Sequence, residues 1–560
     1  MSELLTGSQI LCRTLLDAGV EVVFGYPGGA IMPFYDALHG HPALRHILVR
    51  HEQAAAHAAD GYARAANRVG VCVATSGPGA TNLVTGLAAA QMDGSPVLAI
   101  TGQVARPMLG RDAFQETDVV GVTMPVTKHN VLVRDVEELA DDVREAMAIA
   151  MEGRPGPVLV DVPKDVQNQK AEYRSCTQPL RQRPERDSGP EFPDDVTVRE
   201  VARLIAEAER PLLMIGRGII VSGAYAEVRS LAERTGIPVI TTLLGISAFP
   251  QGHDLHLGMP GMHGEVHINK AIQAADLIVG IGMRFDDRVT GNTATFAPRA
   301  KIVHIDVNAA AIGLNVRVAV GIVGDARRVV ERLLTVVAPR DCLRWREEIR
   351  ALMRPRAESF SGGLSPDVIL SALADVTGGR CTIVSDVGQH QMWVAQLYPF
   401  QRPNTHITSG GLGAMGFAVP AAMGVRLARP DEPVWAISGD GGFQMNMAEI
   451  ATMVQEGLEV KLAVFNNGYL GMVRQWQQFF HGGRYASTPI WSPDYVKLAA
   501  AYGIPGWRVK QASEVRDALR AANEYPGPTL VELVIEQEAN VFPMIVPGGS
   551  LSEPLEAAPV

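Results

Sequence analysis

Apolar runs of three to six residues alternate with amphipathic stretches along most of the chain, a pattern that predicts buried strands of parallel sheets covered by helices on both faces. In the first third the runs are Val22-Val23-Phe24, Ile47-Leu48-Val49, Val71-Cys72-Val73-Ala74, Val97-Leu98-Ala99-Ile100 and Val158-Leu159-Val160. A second set follows at 212–215, 239–242, 277–281 and 302–305. A third includes Val434-Trp435-Ala436-Ile437 and Val460-Lys461-Leu462-Ala463-Val464-Phe465. The expected fold class is therefore α/β, as three doubly wound parallel-sheet domains.

Breaks in the pattern divide the chain into an N-terminal domain at 1–173, a polar, proline-rich linker at 174–195 and a middle domain at 196–345. A second linker at 346–364 ends on Ser361-Gly362-Gly363, a third domain runs over 365–540, and 541–560 reads as a tail. The three units share a class but no visible sequence repeat.

Composition narrows the function classes. The chain has 560 residues, 47% hydrophobic and 20% charged, as expected for folded domains with sizeable cores. Its net charge of −10 gives no reason to expect nucleic acid or an anionic membrane as partner. The five cysteines, Cys12, Cys72, Cys176, Cys342 and Cys381, are far apart and odd in number, which suggests neither a disulfide framework nor a zinc site. With no basic-then-apolar leader and no apolar run of about 18 residues, a cytoplasmic location is expected, without secretion or membrane insertion.

The most informative span starts at Gly439-Asp440-Gly441 and ends at Asn466-Asn467. A strand precedes each end, and Phe443, Met447, Ile450 and Val454 mark a helix between them that Gly457 stops. Such a right-handed crossover brings Asp440 and Asn467 side by side at the strands' C-terminal ends, where ligands bind. Magnesium takes hard oxygen ligands and keeps phosphate oxygens among them, so one carboxylate, one amide and one backbone carbonyl suffice from the protein. Glycines around Asp440 let a diphosphate approach the backbone and the next helix's N-terminus.

Four other constellations have two readings each. Glu52 of Arg50-His51-Glu52-Gln53 opens an alanine-rich helix directly after a strand, where the helix dipole alone favours a carboxylate. Gly411-Leu412-Gly413-Ala414-Met415-Gly416 formally satisfies G-x-G-x-x-G, but Asp431 precedes the strand it should end, so no dinucleotide fingerprint is assigned there. Arg284-Phe285-Asp286-Asp287-Arg288 is either a solvated salt-bridged loop or an arginine placed for bidentate carboxylate capture. Trp476, in the aromatic stretch 470–480, is either core or a wall of the site mouth.

The Gly-Asp-Gly to Asn-Asn span resembles the thiamine-diphosphate enzyme family. Several further motifs, all collinear, closely resemble the catalytic subunit of the acetohydroxyacid synthase family. These are Gly25-Tyr26-Pro27-Gly28-Gly29, Arg50 to Gln53, Asp112-Ala113-Phe114-Gln115-Glu116, Pro163-Lys164-Asp165-Val166, the Arg284 to Arg288 string, Asp386 to Trp393 and Gly468 to Trp476. The resemblance implies a carboligating transferase that decarboxylates pyruvate and joins the two-carbon unit to pyruvate or 2-ketobutyrate. That is the first common step of valine, leucine and isoleucine biosynthesis. The implied cofactors are thiamine diphosphate, Mg2+ and a non-redox FAD, on pyrimidine-binding, FAD-binding and diphosphate-binding domains in chain order.

Residue roles come with the resemblance. Glu52 would activate the cofactor, with Gly29, Phe114 and Gln115 near the reaction centre and Lys164 at the access channel. Arg288 would hold the acceptor's carboxylate, and Trp476 and Met472 would shape its pocket. Thiamine diphosphate would lie on Gln389, His390, Gly413, Met415, Gly439, Asp440, Gly441, Gly442, Asn467 and Met472, with the metal held by Asp440, Asn467 and Tyr469. FAD would use Arg217, Gly218, Leu243, Gly258, His263, Arg284, Asp286, Asp306 and Asp325, with Arg217 standing where a glycine is common. Active sites would form between chains of a homodimer or dimer of dimers, one chain supplying Glu52 and the other Asp440. A small regulatory subunit is a further expected partner. An FAD-free catabolic acetolactate synthase, a pyruvate oxidase and a catalytically silent nucleotide-binding protein are the alternatives.

Overall fold

The computed structural model describes residues 3–175, 195–353 and 363–558, and within them lie three six-stranded, all-parallel sheets. The first has the spatial order Arg45–Leu48, Val22–Gly25, Gly70–Ala74, Val97–Gln103, Val158–Pro163, His129–Leu132. The third repeats that order as His406–Thr408, Thr382–Ser385, Val434–Gly439, Val460–Asn466, Thr529–Val534, Gly506–Val509. Thus the outer domains share a topology that their sequences do not display.

The middle sheet is wound differently: His256–Gly258, Val239–Thr241, Pro211–Ile215, Leu277–Ile281, Lys301–Asp306, Val320–Val323. Numbered along the chain this is the order 3-2-1-4-5-6 of dinucleotide-binding sheets, whose crevice opens where the winding reverses, between the first and fourth strands. Those strands are Pro211–Ile215 and Leu277–Ile281.

Helices Glu52–Ala66 and Ala418–Ala428 join the outer domains. Both are rich in alanine with one glycine each, and their backbones approach closely enough that a Cβ on Gly61 would strike the carbonyl of Ala421 and one on Gly424 that of Ala58. The result is one continuous apolar core running from Phe24 and Tyr62 through Phe417 to Phe443 and Leu530. Across the same interface Arg64 is buried and paired with Asp60 and Asp93, both at 2.7 Å, and donates to the carbonyl of Thr408 at 2.7 Å.

Three expectations need correction. The helix after Asp440 is not continuous: helix Asp440–Asn446 passes through a 3-10 turn, Met447–Glu449, into helix Ile450–Glu456, which Gly457 ends at a φ of 63°. Asn446 leaves helical geometry and donates Nδ2 to the carbonyl of Gly416 at 2.7 Å, a tertiary bond that outcompetes local periodicity. The middle domain does not stop at 345, because helix Leu343–Ala351 buries Trp345 and Ile349 in its core and Trp345 donates to the carbonyl of Pro211. Residues 541–558 are no tail: Val541, Met544, Ile545 and Leu551 are buried, and Met544–Ile545 pairs antiparallel with Pro554–Leu555. The linker residues 176–194 and 354–362 lie outside the described residues, and among those described no helix is long and apolar enough to cross a membrane.

Candidate active site

Strands Val434–Gly439 and Val460–Asn466 are parallel neighbours, and their C-terminal ends place Asp440 beside the Asn466-Asn467 turn. Asp440 opens its helix and is buried; its Oδ2 accepts the backbone N–H of Gly468 at 3.0 Å and the hydroxyl of Ser492 at 3.1 Å. Burial pushes its carboxyl up to about 6, so a lone anion is unfavourable there and a cation would restore the charged form. Asn467 accepts the N–H of Tyr469 through Oδ1 and donates to Gln389 Oε1 at 3.3 Å. Among the described residues no group of three or more His, Cys, Asp or Glu gathers at one point. A cation beside Asp440 would therefore complete its shell with amide, backbone and phosphate oxygens, as magnesium does.

Around this pair lies a small cleft of about 60 Å3 lined by Gln389, His390, Met415, Gly439 to Gly442, Asn467, Tyr469 and Met472. His390 is buried and its Nε2 accepts the N–H of Gly439 at 3.2 Å; desolvation lowers its pKa to about 3 and keeps the ring neutral. Of the expected thiamine-diphosphate residues on this domain only Gly413 is not in the lining, and it lines the neighbouring cavity instead. The glycine-rich segment 411–416 is a loop preceding helix Ala418–Ala428, with Gly413 and Gly416 at φ 73° and 85°. Only a residue without Cβ takes such a path cheaply.

That neighbouring cavity, about 610 Å3, opens at the C-terminal edge of the middle sheet and gathers Arg217, Gly218, Leu243, His263, Arg284, Asp286, Asp306 and Asp325. Gly258 sits on strand His256–Gly258 and is not in the lining. At the winding reversal Gly218 donates to the carbonyl of Gly282 at 2.9 Å, and a Cβ there would strike Gly282. Arg284 pairs with Asp286 at 3.1 Å, and Asp286 also caps helix Asp287–Thr290. His263 is held neutral by burial, with its pKa lowered to about 4. Arg288, Met472 and Trp476 line the same cavity where it meets the third domain. Arg288 is more than half exposed and, among the described residues, has only Asp287, at 3.8 Å, as a carboxylate partner.

Neither cavity is lined by Glu52, Gly29, Phe114, Gln115 or Lys164. Glu52 is the first residue of its helix, nearly buried, and accepts Asn82 Nδ2 at 2.9 Å. Phe114 is 88% exposed, and Gln115 beside it holds a left-handed φ of 59°. Gly29 and Lys164 are exposed too.

Several cavity residues carry no motif that sequence reasoning finds. Asp93 and Arg154 reach the central cavity from the first domain, and Gly410 from the third. Asp386, fully buried, accepts N–H groups from Val387, Gly416 and Ala418 and the Ser438 hydroxyl, pinning the glycine-rich loop against the Asp440 strand. Its position in Asp386 to Trp393 was its only signal.

Comparison with known proteins agrees with this architecture. The chain matches the model of the thiamine pyrophosphate enzyme N-terminal TPP binding domain over residues 5–122, of the central domain over 198–333 and of the C-terminal TPP binding domain over 386–533. It is 46% identical to the acetolactate synthase large subunit of Corynebacterium glutamicum over 98% of this chain and 90% of that one. It is 47% identical to an acetolactate synthase of Mycobacterium bovis, covering 98% and 91%, and 44% identical to a probable acetolactate synthase large subunit of Methanocaldococcus jannaschii, covering 99% and 96%. Likeness of that extent, with all three domains matched in order, means that the chain belongs to the thiamine pyrophosphate enzyme family, among the acetolactate synthase large subunits.

Proposed function

We propose that the chain decarboxylates pyruvate and joins the two-carbon unit to a second 2-ketoacid, pyruvate or 2-ketobutyrate, making acetolactate or acetohydroxybutyrate. The observation that carries this reading is the full-length likeness to acetolactate synthases. Thiamine diphosphate, when bound, supplies a carbon nucleophile and electron sink for the decarboxylation.

The chain's own residues bind, orient and move protons. Asp440 and the Asn467 amide oxygen, with the backbone at Tyr469, would hold Mg2+, and the N-terminus of helix Asp440–Asn446 favours the diphosphate's charge. Glu52 would exchange a proton with the cofactor's aminopyrimidine ring through its carboxyl. Arg288 would capture the acceptor's carboxylate, and Trp476 would set how large an acceptor the pocket admits. Gln115, Phe114, Gly29 and Lys164 would close the site from the other side.

FAD on the middle domain is supported by the dinucleotide-type strand order and by the eight expected residues that line the central cavity. This favours the flavin-bearing synthase over its FAD-free catabolic counterpart. The exposed face carrying Phe114, apart from the Asp440 cleft, supports an active site shared between two chains. The described cysteines are free and buried, in keeping with a cytoplasmic enzyme, and a small regulatory subunit is the remaining partner proposed.

A complementation experiment tests the shared site. Glu52→Gln and Asp440→Ala variants, each inactive, are mixed under conditions that exchange subunits. Random pairing leaves one intact site in each mixed dimer, so recovery of about a quarter of wild-type activity is expected. A mixture as inactive as its parents would show that both residues serve one chain's site.

A further inference from the structure

We infer that Glu449 is a positioning residue for Glu52, gripping the backbone that leads into the helix Glu52 opens. The inference rests on the reading of Glu52 as the activating carboxyl.

Glu449 ends the 3-10 turn after the Asp440 helix and is 1% exposed. Its Oε1 accepts the backbone N–H of Arg50 at 2.8 Å, two residues ahead of Glu52. Its Oε2 accepts the hydroxyl of Thr452 at 2.7 Å, and that hydroxyl also meets the carbonyl of Leu48 at 3.1 Å. The Arg50 guanidinium closes the arrangement by donating to the Leu48 carbonyl and to Gln455, both at 2.8 Å. Leu48, Arg50 and the start of the Glu52 helix are thus held by one turn of the third domain.

This grip is unusual in cost and place. A buried carboxylate is expensive unless its oxygens are satisfied, and a well-packed apolar side chain would hold two domains together at least as well. What a carboxylate adds is direction, since a charge-assisted bond to a backbone N–H fixes that peptide's position and orientation. Strand Arg45–Leu48 needs such a fix, because it is an edge strand with a single neighbour, Val22–Gly25. Among the described residues Glu52 itself has one side-chain hydrogen bond, from Asn82, so the path of its backbone decides where its carboxyl stands. Glu449 also lies on the segment that Asp440 begins, so within one chain the diphosphate-holding turn and the activating acid are mechanically tied. If the active site is shared, that tie runs from one site of the dimer to the other.

A double-mutant cycle on the full-length holoenzyme separates positioning from plain stability. The four proteins are wild type, Glu449→Ala, Glu52→Gln and the double variant, each assayed for kcat and for the KM of pyruvate. If Glu449 acts through Glu52, Glu449→Ala lowers kcat about tenfold or more in the wild-type background with KM within about twofold, and changes the residual kcat of Glu52→Gln by less than about twofold. The same factor in both backgrounds, or no loss in the first, overturns the proposal while leaving Glu52 as the activator. Wild-type turnover in Glu52→Gln overturns that reading and the proposal with it. Should Glu449→Ala fail to fold, Glu449→Asp, one methylene too short to reach Arg50 unchanged, replaces it in the same cycle with the same outcomes.

Discussion

Asn82 donates its side-chain amide to Oε2 of Glu52 at 2.9 Å, while Gly79 keeps the space beside Oε1 open: a Cβ on Gly79 would come within 3.2 Å of that oxygen. One carboxylate oxygen is held by Asn82, and the other lies against Gly79, where a side chain would crowd it. Glu52→Gln keeps the acceptor for Asn82 and removes only the exchangeable proton. It is expected to lower kcat by about a hundredfold or more, within the range for general acid–base groups. The melting temperature should stay within a few degrees of wild type, and steady-state kinetics beside thermal unfolding check both halves.

The outer domains meet where Gly424 lies on the helix Glu52–Ala66 backbone at Ala58. Gly424→Ala should force these helices apart at a point buried in the shared core, costing about 1–3 kcal/mol by overpacking. Denaturant unfolding measures it, and an unchanged midpoint would contradict the close crossing.

Asp161 is buried between the hydroxyl of Thr101 at 2.7 Å and the amide of Gln103 at 2.9 Å, with Asp118 the charged group facing it. Burial pushes its carboxyl from an ordinary 3.8 up to about 7. The folded state then holds this proton more tightly than the unfolded one. Its stabilisation is complete below the unfolded value and is lost as pH rises through about 7. The melting temperature of wild type relative to Asp161→Asn, which does not titrate, should therefore fall between about pH 5 and pH 8. A gap that widens in favour of wild type over that window has the wrong sign for this account.

Arg217 reaches from the middle domain to Ser95, donating to its hydroxyl at 3.2 Å, while its Nε is buried with no protein partner. Burial, with Arg64 nearby, lowers its pKa to about 9. A bound anion would relieve both conditions. Arg217→Ala is expected to weaken FAD binding about tenfold, near 1.4 kcal/mol, and to leave thiamine diphosphate affinity unchanged. Flavin fluorescence titration reads the first and activity against cofactor concentration the second; an unaltered flavin affinity would remove Arg217 from the dinucleotide site.

The fold is readable in sequence wherever a strand is buried on both faces, because such strands carry apolar runs, as at Val97 to Ile100 and over Leu277–Ile281. Edge strands His129–Leu132, Val320–Val323 and Gly506–Val509 escape that signal, since each is only partly buried and carries polar residues or glycine. Asp440 and Asn467 stand out because one crossover brings them together. Asp93 and Arg154 do not, because they reach the central cavity only once the first domain docks on the middle one. The segment 541–558 misleads for a related reason: proline, glycine and serine read as a tail, yet Val541 accepts from Gln475 and Ile545 donates to Met262, strapping the third domain to the middle one.

The most direct measurement is product formation: the purified chain is incubated with pyruvate, Mg2+ and thiamine diphosphate, with and without FAD and 2-ketobutyrate, and both acetohydroxyacids are quantified. Acetolactate should form from pyruvate alone, acetohydroxybutyrate should appear when 2-ketobutyrate is added, and omission of FAD after flavin removal should abolish both. Absence of both products under every condition would contradict the assignment.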